Sequence, residues 1–338
     1  LINGNVMPEE DFEMVGNLVQ QAEATLIDEY EPLSFFEIMT AMALVYFSRK
    51  KVEVALLEVG IGGLLDTTNI VHSTMSVITS IGMDHEEMLG NTLEEIAIQK
   101  TGIFKRNQAV ILGNLPTEAL QIAEVVGKAY NCDLHTFKRE FKIEPFEDGF
   151  IFTNSDIRIH IPCLNLKGNY QLENAAVALE CFLRFEKKFQ LPIEQSAIQE
   201  SFQTVTWPGR MEVVHQSPTV IFDGAHNIHA LKRFVETVKQ YGKLEAQHTI
   251  LFSALKRKHY IEMVDYLRKE LPEARLVVTT FEYAGAIEKT DYPSSEIEFV
   301  ENAQQFIENY INKRSDQETL WITGSLYFIS FIRKFFVK

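Results

Sequence analysis

Short apolar runs that stop at glycine or a polar residue alternate along this chain with longer stretches whose apolar residues recur every three to four positions. That alternation predicts parallel βαβ units. Helical spacing covers residues 8–27, where Pro8 suits a first helical position, and then 34–47. Strands are predicted at 52–57, 75–81 and 109–112, with helices over 92–104 and 117–130. From 137 to 166 the texture becomes alternating and carries the turn signals FEDGF and TNSD, which read as antiparallel hairpins. Helices are expected at 170–186 and 193–203. Thr206, Trp207, Pro208 and Gly209 then break the pattern, and a domain boundary is expected there, dividing the chain into 1–206 and 207–338. Beyond it, strands at 211–215, 219–222, 249–252, 275–279 and 319–322 alternate with helices near 227–240, 258–270, 300–312 and from about Ser325, the pattern of a small doubly wound domain.

Two of the apolar runs in the first half end in side chains with chemistry. The run 52–57 stops at Glu58, before Gly60, Gly62 and Gly63, and the run 75–81 is followed by Gly82, Asp84 and His85. In open α/β sheets ligands bind beyond the carboxyl ends of parallel strands, so Glu58 and His85 are placed to meet one ligand. An acid and an imidazole suit a divalent cation. Magnesium keeps waters and phosphate oxygens and takes few protein ligands, so two side chains and a nucleotide suffice. A glycine turn capped by an acid, beside a histidine bonded to backbone, is the plainer alternative. In the helix that follows, Lys100 lies seven residues after Leu93 and three after Ala97, on the apolar stripe and not the solvent face. Burial there lowers an amine's pKa and leaves it able to react or be modified; a lysine snorkelling from a helix end is the alternative.

The length of 338 residues accommodates two cores. A net charge of −15 argues against nucleic acid as a bulk partner, because that binding needs basic surface to neutralise phosphates. Small anionic substrates stay compatible if a metal and a few cations meet them. Cys132, Cys163 and Cys181 are widely spaced without a CxxC pattern, which indicates neither a disulfide framework nor a zinc site and fits a reducing cytoplasm. No apolar run reaches the length of a membrane span.

A second constellation lies beyond the predicted boundary. The run 219–222 ends in Asp223-Gly224-Ala225-His226-Asn227, and Pro208-Gly209-Arg210 puts a cation at the domain junction, where its fork of donors suits phosphate. Asn174, in LKGNYQLENAAVALE, is placed to begin a helix and either cap it or meet a base edge. A dinucleotide-binding oxidoreductase is disfavoured, because Gly60 and Gly62 give GxG but the position three beyond Gly62 is Leu65.

Taken together, SFFEIMTAMAL, LLEVGIGGLLDTTNIV, SIGMDHEEMLGNTLEEIAIQKTGIFK, LKGNYQLENAAVAL, WPGRMEVV, FDGAHNIHAL and GSLYFI resemble, in order and spacing, the folylpolyglutamate synthase family, including bifunctional dihydrofolate synthases, within the Mur ligase superfamily. The resemblance covers nearly the whole chain. It implies an α/β Mur-ligase-like fold, with a P-loop-type central domain followed by a smaller Rossmann-like C-terminal domain. It also implies an ATP-dependent ligase that joins L-glutamate to folate or dihydropteroate through an acyl phosphate. By motif, Glu58 and His85 match magnesium ligands, and Lys100 matches a lysine that is carbamylated and helps hold a second cation. Asn174, Arg210 and Asp223 match positions that contact adenine, phosphates and ribose of ATP. Ser34, Phe36, Glu37, Leu65 and Asp66 match the pteridine side, and His226 and Ser325 the glutamate and acyl-phosphate end. A cytoplasmic monomer is expected. A peptide ligase on a cell-wall precursor shares the mechanism, but SFFE and GGLLDTTN favour a folate; a non-catalytic derivative that binds folate or nucleotide is the third reading.

Two departures from the family pattern bear on this. Leu64 stands where the family has arginine, giving GGLLDTTN in place of GGRLDATN. No GxxxxGK[ST] occurs in the 338 residues, and the family's phosphate loop is expected upstream of the residue matching Leu1. Without that loop's backbone donors, lysine and hydroxyl, the chain as given is expected to be inactive.

Overall fold

Two helices open the chain, and their apolar faces meet. Helix α1 (Glu9–Ala24) follows Pro8, and α2 (Phe35–Lys50) starts at a capping box in which Ser34 and Glu37 satisfy each other's backbone N–H. Val15 and Val19 of the first pack against Met42 and Tyr46 of the second. This computed structural model describes all residues except 27–28, 193, 242–246, 292–296, 314–317 and 337–338. The expected helix end at 27 and helix start at 193 therefore lie outside the described residues. Among the described residues no helix is long and apolar enough to cross a membrane.

The strand expected at 52–57 does not form. The segment is irregular, with no ladder partner among the described residues, and Leu56 is 94% exposed. Apolar periodicity marks a stretch that can be a strand; the ladder itself requires a neighbouring backbone. Strand β1 (Met75–Ile78), the one-turn helix α3 (Glu86–Leu89), α4 (Leu93–Thr101), β2 (Ala109–Leu112), α5 (Thr117–Ala129) and β3 (Asp133–Thr136) follow, and the three strands form a sheet in the order β1-β2-β3. The predicted hairpin region is an antiparallel sheet of β4 (Phe141–Phe146), β5 (Gly149–Asn154) and β6 (Arg158–Ile161). Helices α6 (Asn169–Phe189) and α7 (Gln195–Thr204) come next. Buried Glu180 fixes α6 by accepting from Asn154 (2.7 Å) and from Arg184 (2.6 Å).

The remaining elements are β7 (Glu212–Gln216), β8 (Thr219–Phe222), α8 (Ile228–Tyr241), β9 (Gln247–Phe252), α9 (Tyr260–Glu270), β10 (Arg275–Thr279), β11 (Glu298–Val300), α10 (Ala303–Lys313), β12 (Glu318–Thr323) and α11 (Leu326–Phe336). They build a six-stranded sheet ordered β11-β10-β9-β12-β8-β7, parallel except for β7. Its strands are apolar on both faces because helices cover both. Ile221, Ile250, Val278 and Trp321 point into a core with α8 and α9, while Val220, Phe222, Leu251, Val277, Leu320 and Ile322 point into one with α10 and α11. This is the doubly wound arrangement the sequence predicts.

Contacts divide the described chain into two compact units, residues 1–110 with 115–134, and residues 111–114 with 135–338.

Candidate functional site

In the first unit the chemistry gathers around the glycine-rich loop after residue 59. Asp66 organises it. One carboxylate oxygen accepts the N–H groups of Gly60 (3.0 Å) and Ile61 (3.1 Å), and the other accepts the N–H of Thr68 (2.9 Å) and its hydroxyl. Burial opposes the charge on Asp66, but those bonds from Thr68, Ile61 and Gly60 outweigh it and hold the carboxyl below its ordinary value. The loop then lies on the last turn of α4. Leu64 donates its N–H to the Gln99 carbonyl (2.7 Å), and a Cβ on Gly63 would stand 2.8 Å from that oxygen and 3.0 Å from the Lys100 carbonyl. Gly62 supplies the left-handed φ of +73° that the turn requires.

Lys100 sits in that last turn, half-buried, next to the fully buried Ile96 and Ala97. Burial lowers its pKa, and the Asp84 carboxylate partly opposes the shift. Asp84 also accepts the backbone N–H of His85 (2.9 Å), and its side chain lies 3.9 Å from the His85 imidazole. The structure thus brings Lys100 and the Asp84–His85 loop together. Glu58 is exposed in the irregular segment after α2, and among the described residues it does not gather with Asp84 and His85 into a group that could hold an ion. Among the described residues no three His, Cys, Asp or Glu side chains gather closely enough to hold an ion. A magnesium ion completed by water and nucleotide phosphates needs only one or two protein ligands, and an acid, an imidazole and the oxygens of a carbamylated lysine are chemically suited to it.

Of the residues expected on the pteridine side, Ser34 and Glu37 form the cap of α2, and the Ser34 hydrogen bonds hold the Glu37 carboxyl below its ordinary value. Phe36 lies against the glycine loop, its ring edge 2.8 Å from where a Gly60 Cβ would be. Its other surface is open, and Leu65 is 87% exposed. Phe36, Leu65 and Asp66 therefore share one neighbourhood, with Asp66 as its brace.

In the second unit the loops at the carboxyl edge of the large sheet are tied to one another. Asp223 leaves β8 and accepts the N–H of Ala225 (2.9 Å) with one oxygen and that of Met211 (3.2 Å) with the other. Gly224 donates to the Gly209 carbonyl (2.8 Å), and Gly324 to the Ala225 carbonyl (3.0 Å). The Pro208–Arg210 turn, the Asp223–Asn227 loop and the Gly324–Ser325 turn so form one unit of backbone. Arg210 fits into it because Gly224 lacks a side chain: a Cβ there would meet the guanidinium at 2.5 Å. Burial pushes the Asp223 carboxyl up to about 6, against the opposing pull of the Ala225 N–H, Arg210 and the Met211 N–H. The His226 ring nitrogen bonds the Gly224 carbonyl (2.9 Å), and buried Ser325 accepts the Tyr327 N–H (3.2 Å) at the start of α11.

Asn174 is not the cap of its helix. The helix starts at Asn169, and Asn174 is an exposed residue of its second turn, bonded to the Gln171 side chain (3.1 Å). Tyr170, which the sequence reading passed over, lies in the field of both Asp223 and Arg210; burial first, and then Asp223, push its phenol upward. It lies in the first turn of α6, within electrostatic reach of the Asp223 loop. Only its position within LKGNYQLEN, four residues before Asn174, marked it in the sequence.

Comparison with known proteins places these features. The Mur ligase middle domain matches residues 12–182, and the Mur ligase glutamate ligase domain matches residues 209–326. A dihydrofolate synthase/folylpolyglutamate synthase of Bacillus subtilis is 34% identical over 344 aligned positions, covering 98% of this chain and 79% of the relative. The apo structure of a folylpolyglutamate synthase of L. casei superposes with a TM-score of 0.82 at 26% identity, covering 100% of this chain and 80% of that one. A folylpolyglutamate synthase complex with AMPPCP and folate superposes with a TM-score of 0.80 at 27% identity, covering 97% and 77%.

Proposed function

The chain belongs to the dihydrofolate synthase/folylpolyglutamate synthase family of Mur ligases, and from that premise we propose that it serves the ATP-dependent addition of L-glutamate to a folate or dihydropteroate. The γ-phosphate of ATP passes to an acceptor carboxylate oxygen, giving an acyl phosphate and ADP. The glutamate amine attacks the acyl carbon, and the tetrahedral adduct expels phosphate and loses a proton to form the amide.

The observation that carries the reading is the tied constellation of Arg210, Asp223, His226 and Ser325 at the carboxyl edge of the large sheet, the edge where open α/β sheets bind ligands. Arg210 there meets the nucleotide phosphates with its forked donors, Asp223 accepts from the ribose hydroxyls, and Asn174 reads the adenine edge. His226 and Ser325 serve the glutamate and acyl-phosphate end. Bound magnesium supplies charge neutralisation at the transferring phosphoryl group. Glu58 and His85 would hold it. Lys100 would help hold a second cation as a carbamate, formed when its neutral amine adds to carbon dioxide with loss of a proton; its half-buried setting and lowered pKa support that chemistry. Phe36 stacks on the pteridine, Leu65 covers it, and Ser34, Glu37 and Asp66 brace the elements that present them.

We place the domain boundary at 206/207, between the two matched regions, and assign a monomer acting in the cytoplasm, where its three free cysteines stay reduced. The test is direct. Protein from the full reading frame should release one ADP per glutamyl product, and only when a reduced folate or dihydropteroate, L-glutamate, ATP and magnesium are all present. ADP release that is independent of glutamate, or no ADP at all, refutes the assignment.

A further inference from the structure

Glu173 lies next to Asn174 in α6 and uses both carboxylate oxygens on other elements. One accepts from the Asn114 amide (2.9 Å), in the loop after β2, and the other lies 3.4 Å from the Arg233 guanidinium on α8. Asn114 is itself held by the Lys138 ammonium (3.2 Å). Arg233 has a second acid within reach, Glu236 at 3.6 Å on its own helix. The contact therefore joins the region matched by the middle domain to the region matched by the glutamate ligase domain, within a single compact unit. A second approach lies alongside it: a Cβ on Gly168 would meet the Thr237 hydroxyl of α8 at 2.9 Å. Helix α8 in turn begins directly after the Asp223–Asn227 loop, with Asn227 accepting the Ala230 N–H (2.8 Å) as its cap.

We propose that Glu173 is a positioning residue for the nucleotide, holding α6 against α8 so that Asn174 and the Arg210–Asp223 loops keep one fixed separation. The inference rests on the reading that those residues contact one ATP. Its carboxylate touches no reacting atom; it acts through the two helices. Both partners of the ion pair are about a third exposed, at 31% and 27%, so the coupling is modest. It should be worth about fivefold in nucleotide affinity, or about 1 kcal/mol.

The experiment is titration calorimetry of AMPPCP on the full protein, combined with steady-state kinetics. Arg233→Ala should raise the AMPPCP Kd about fivefold and Glu173→Ala at least as much, since it also loses the Asn114 bond, while the double variant should be no worse than Glu173→Ala, because both remove the one Glu173–Arg233 ion pair. The KM for ATP should rise in parallel, with kcat at saturating ATP and the KM for glutamate within about twofold of wild type. Glu173→Gln, which keeps a hydrogen bond to Asn114 and removes the charge, should raise the Kd above wild type but less than Glu173→Ala, and serves if the alanine variant fails to fold. An unchanged Kd in Glu173→Ala or Glu173→Gln, or additive losses in the double variant, overturns the proposal. Asn174→Ala and Asp223→Asn in the same titration separate the two levels. If they weaken AMPPCP binding while the Glu173 variants do not, the positioning role alone fails; if none of them changes it, the nucleotide assignment fails and the positioning role with it.

Discussion

Replacing Asp223 with asparagine isolates the electrostatic cost built into the Arg210–Asp223 constellation. Burial drives its carboxyl from 3.8 up to about 6, with the Ala225 N–H, Arg210 and the Met211 N–H opposing. An acid whose pKa is higher in the folded chain keeps its proton longer there, so the folded state binds more protons between about pH 4 and pH 6. The stability this provides is complete below the unfolded pKa, is lost as pH rises through the window, and is gone above about pH 6. Roughly two pKa units at 1.36 kcal/mol each make the loss about 3 kcal/mol. Asparagine stays neutral and has no such slope. It keeps an acceptor for one of the two N–H donors and turns its amide toward the other, at a cost of about 1–3 kcal/mol. The variant should therefore be less stable than wild type by about 1–3 kcal/mol near pH 4 and gain about 3 kcal/mol on it by pH 7, matching wild type there or exceeding it by up to about 2 kcal/mol. Urea unfolding at half-unit steps from pH 4 to pH 8 measures this, read from the fluorescence of Trp321, which is buried in the core of the same sheet. A constant gap across that range, or a variant that loses ground to wild type as pH rises, would refute the reasoning.

Two other substitutions probe the site from different sides. Lys100→Ala should lower kcat at least about a hundredfold while leaving the ATP-analogue Kd within about threefold, and added small carboxylates should restore part of the rate; wild-type turnover would remove Lys100 from the mechanism. Gly224→Ala would press a methyl group on the Leu326 side chain and on the Arg210 guanidinium, both flexible ends, so the fold should survive while Arg210 is displaced. Nucleotide affinity should fall about tenfold, equal to about 1.4 kcal/mol, with little change in Tm; an unchanged Kd by calorimetry would show that Arg210 does not bind phosphate.

Much of the second domain was legible because its strands are buried on both faces and its helices are amphipathic. The runs 219–222 and 275–279 became β8 and β10 with the same bounds. β3 (DLHT) and α3 (EEML) carry few apolar residues and β11 is three residues long, so none of them presents an apolar run like that of β8. The strand expected at 52–57 failed for a different reason: Val54 and Leu56 have the composition of a buried strand, but pairing depends on a partner that local pattern cannot reveal. The site was legible to the same degree. Asp223 and His226 stood out at the end of an apolar run, and Ser34 with Glu37 carried the spacing of a capping box. Tyr170 and Glu173 did not stand out, because each interacts with residues far along the chain, Glu173 with Arg233 of α8 and Tyr170 electrostatically with Asp223 and Arg210. The expectation that Asn174 opens its helix failed because Gly168, at φ +104°, starts it five residues earlier as a backbone cap.

The acyl phosphate is the central claim, and transfer of oxygen tests it most directly. Acceptor folate labelled with 18O in its reactive carboxylate, incubated with the full protein, ATP, magnesium and L-glutamate, should yield phosphate carrying one 18O atom for each glutamate added. Glutamyl product formed with unlabelled phosphate would contradict the account, because the carboxylate oxygen would never have been joined to phosphorus.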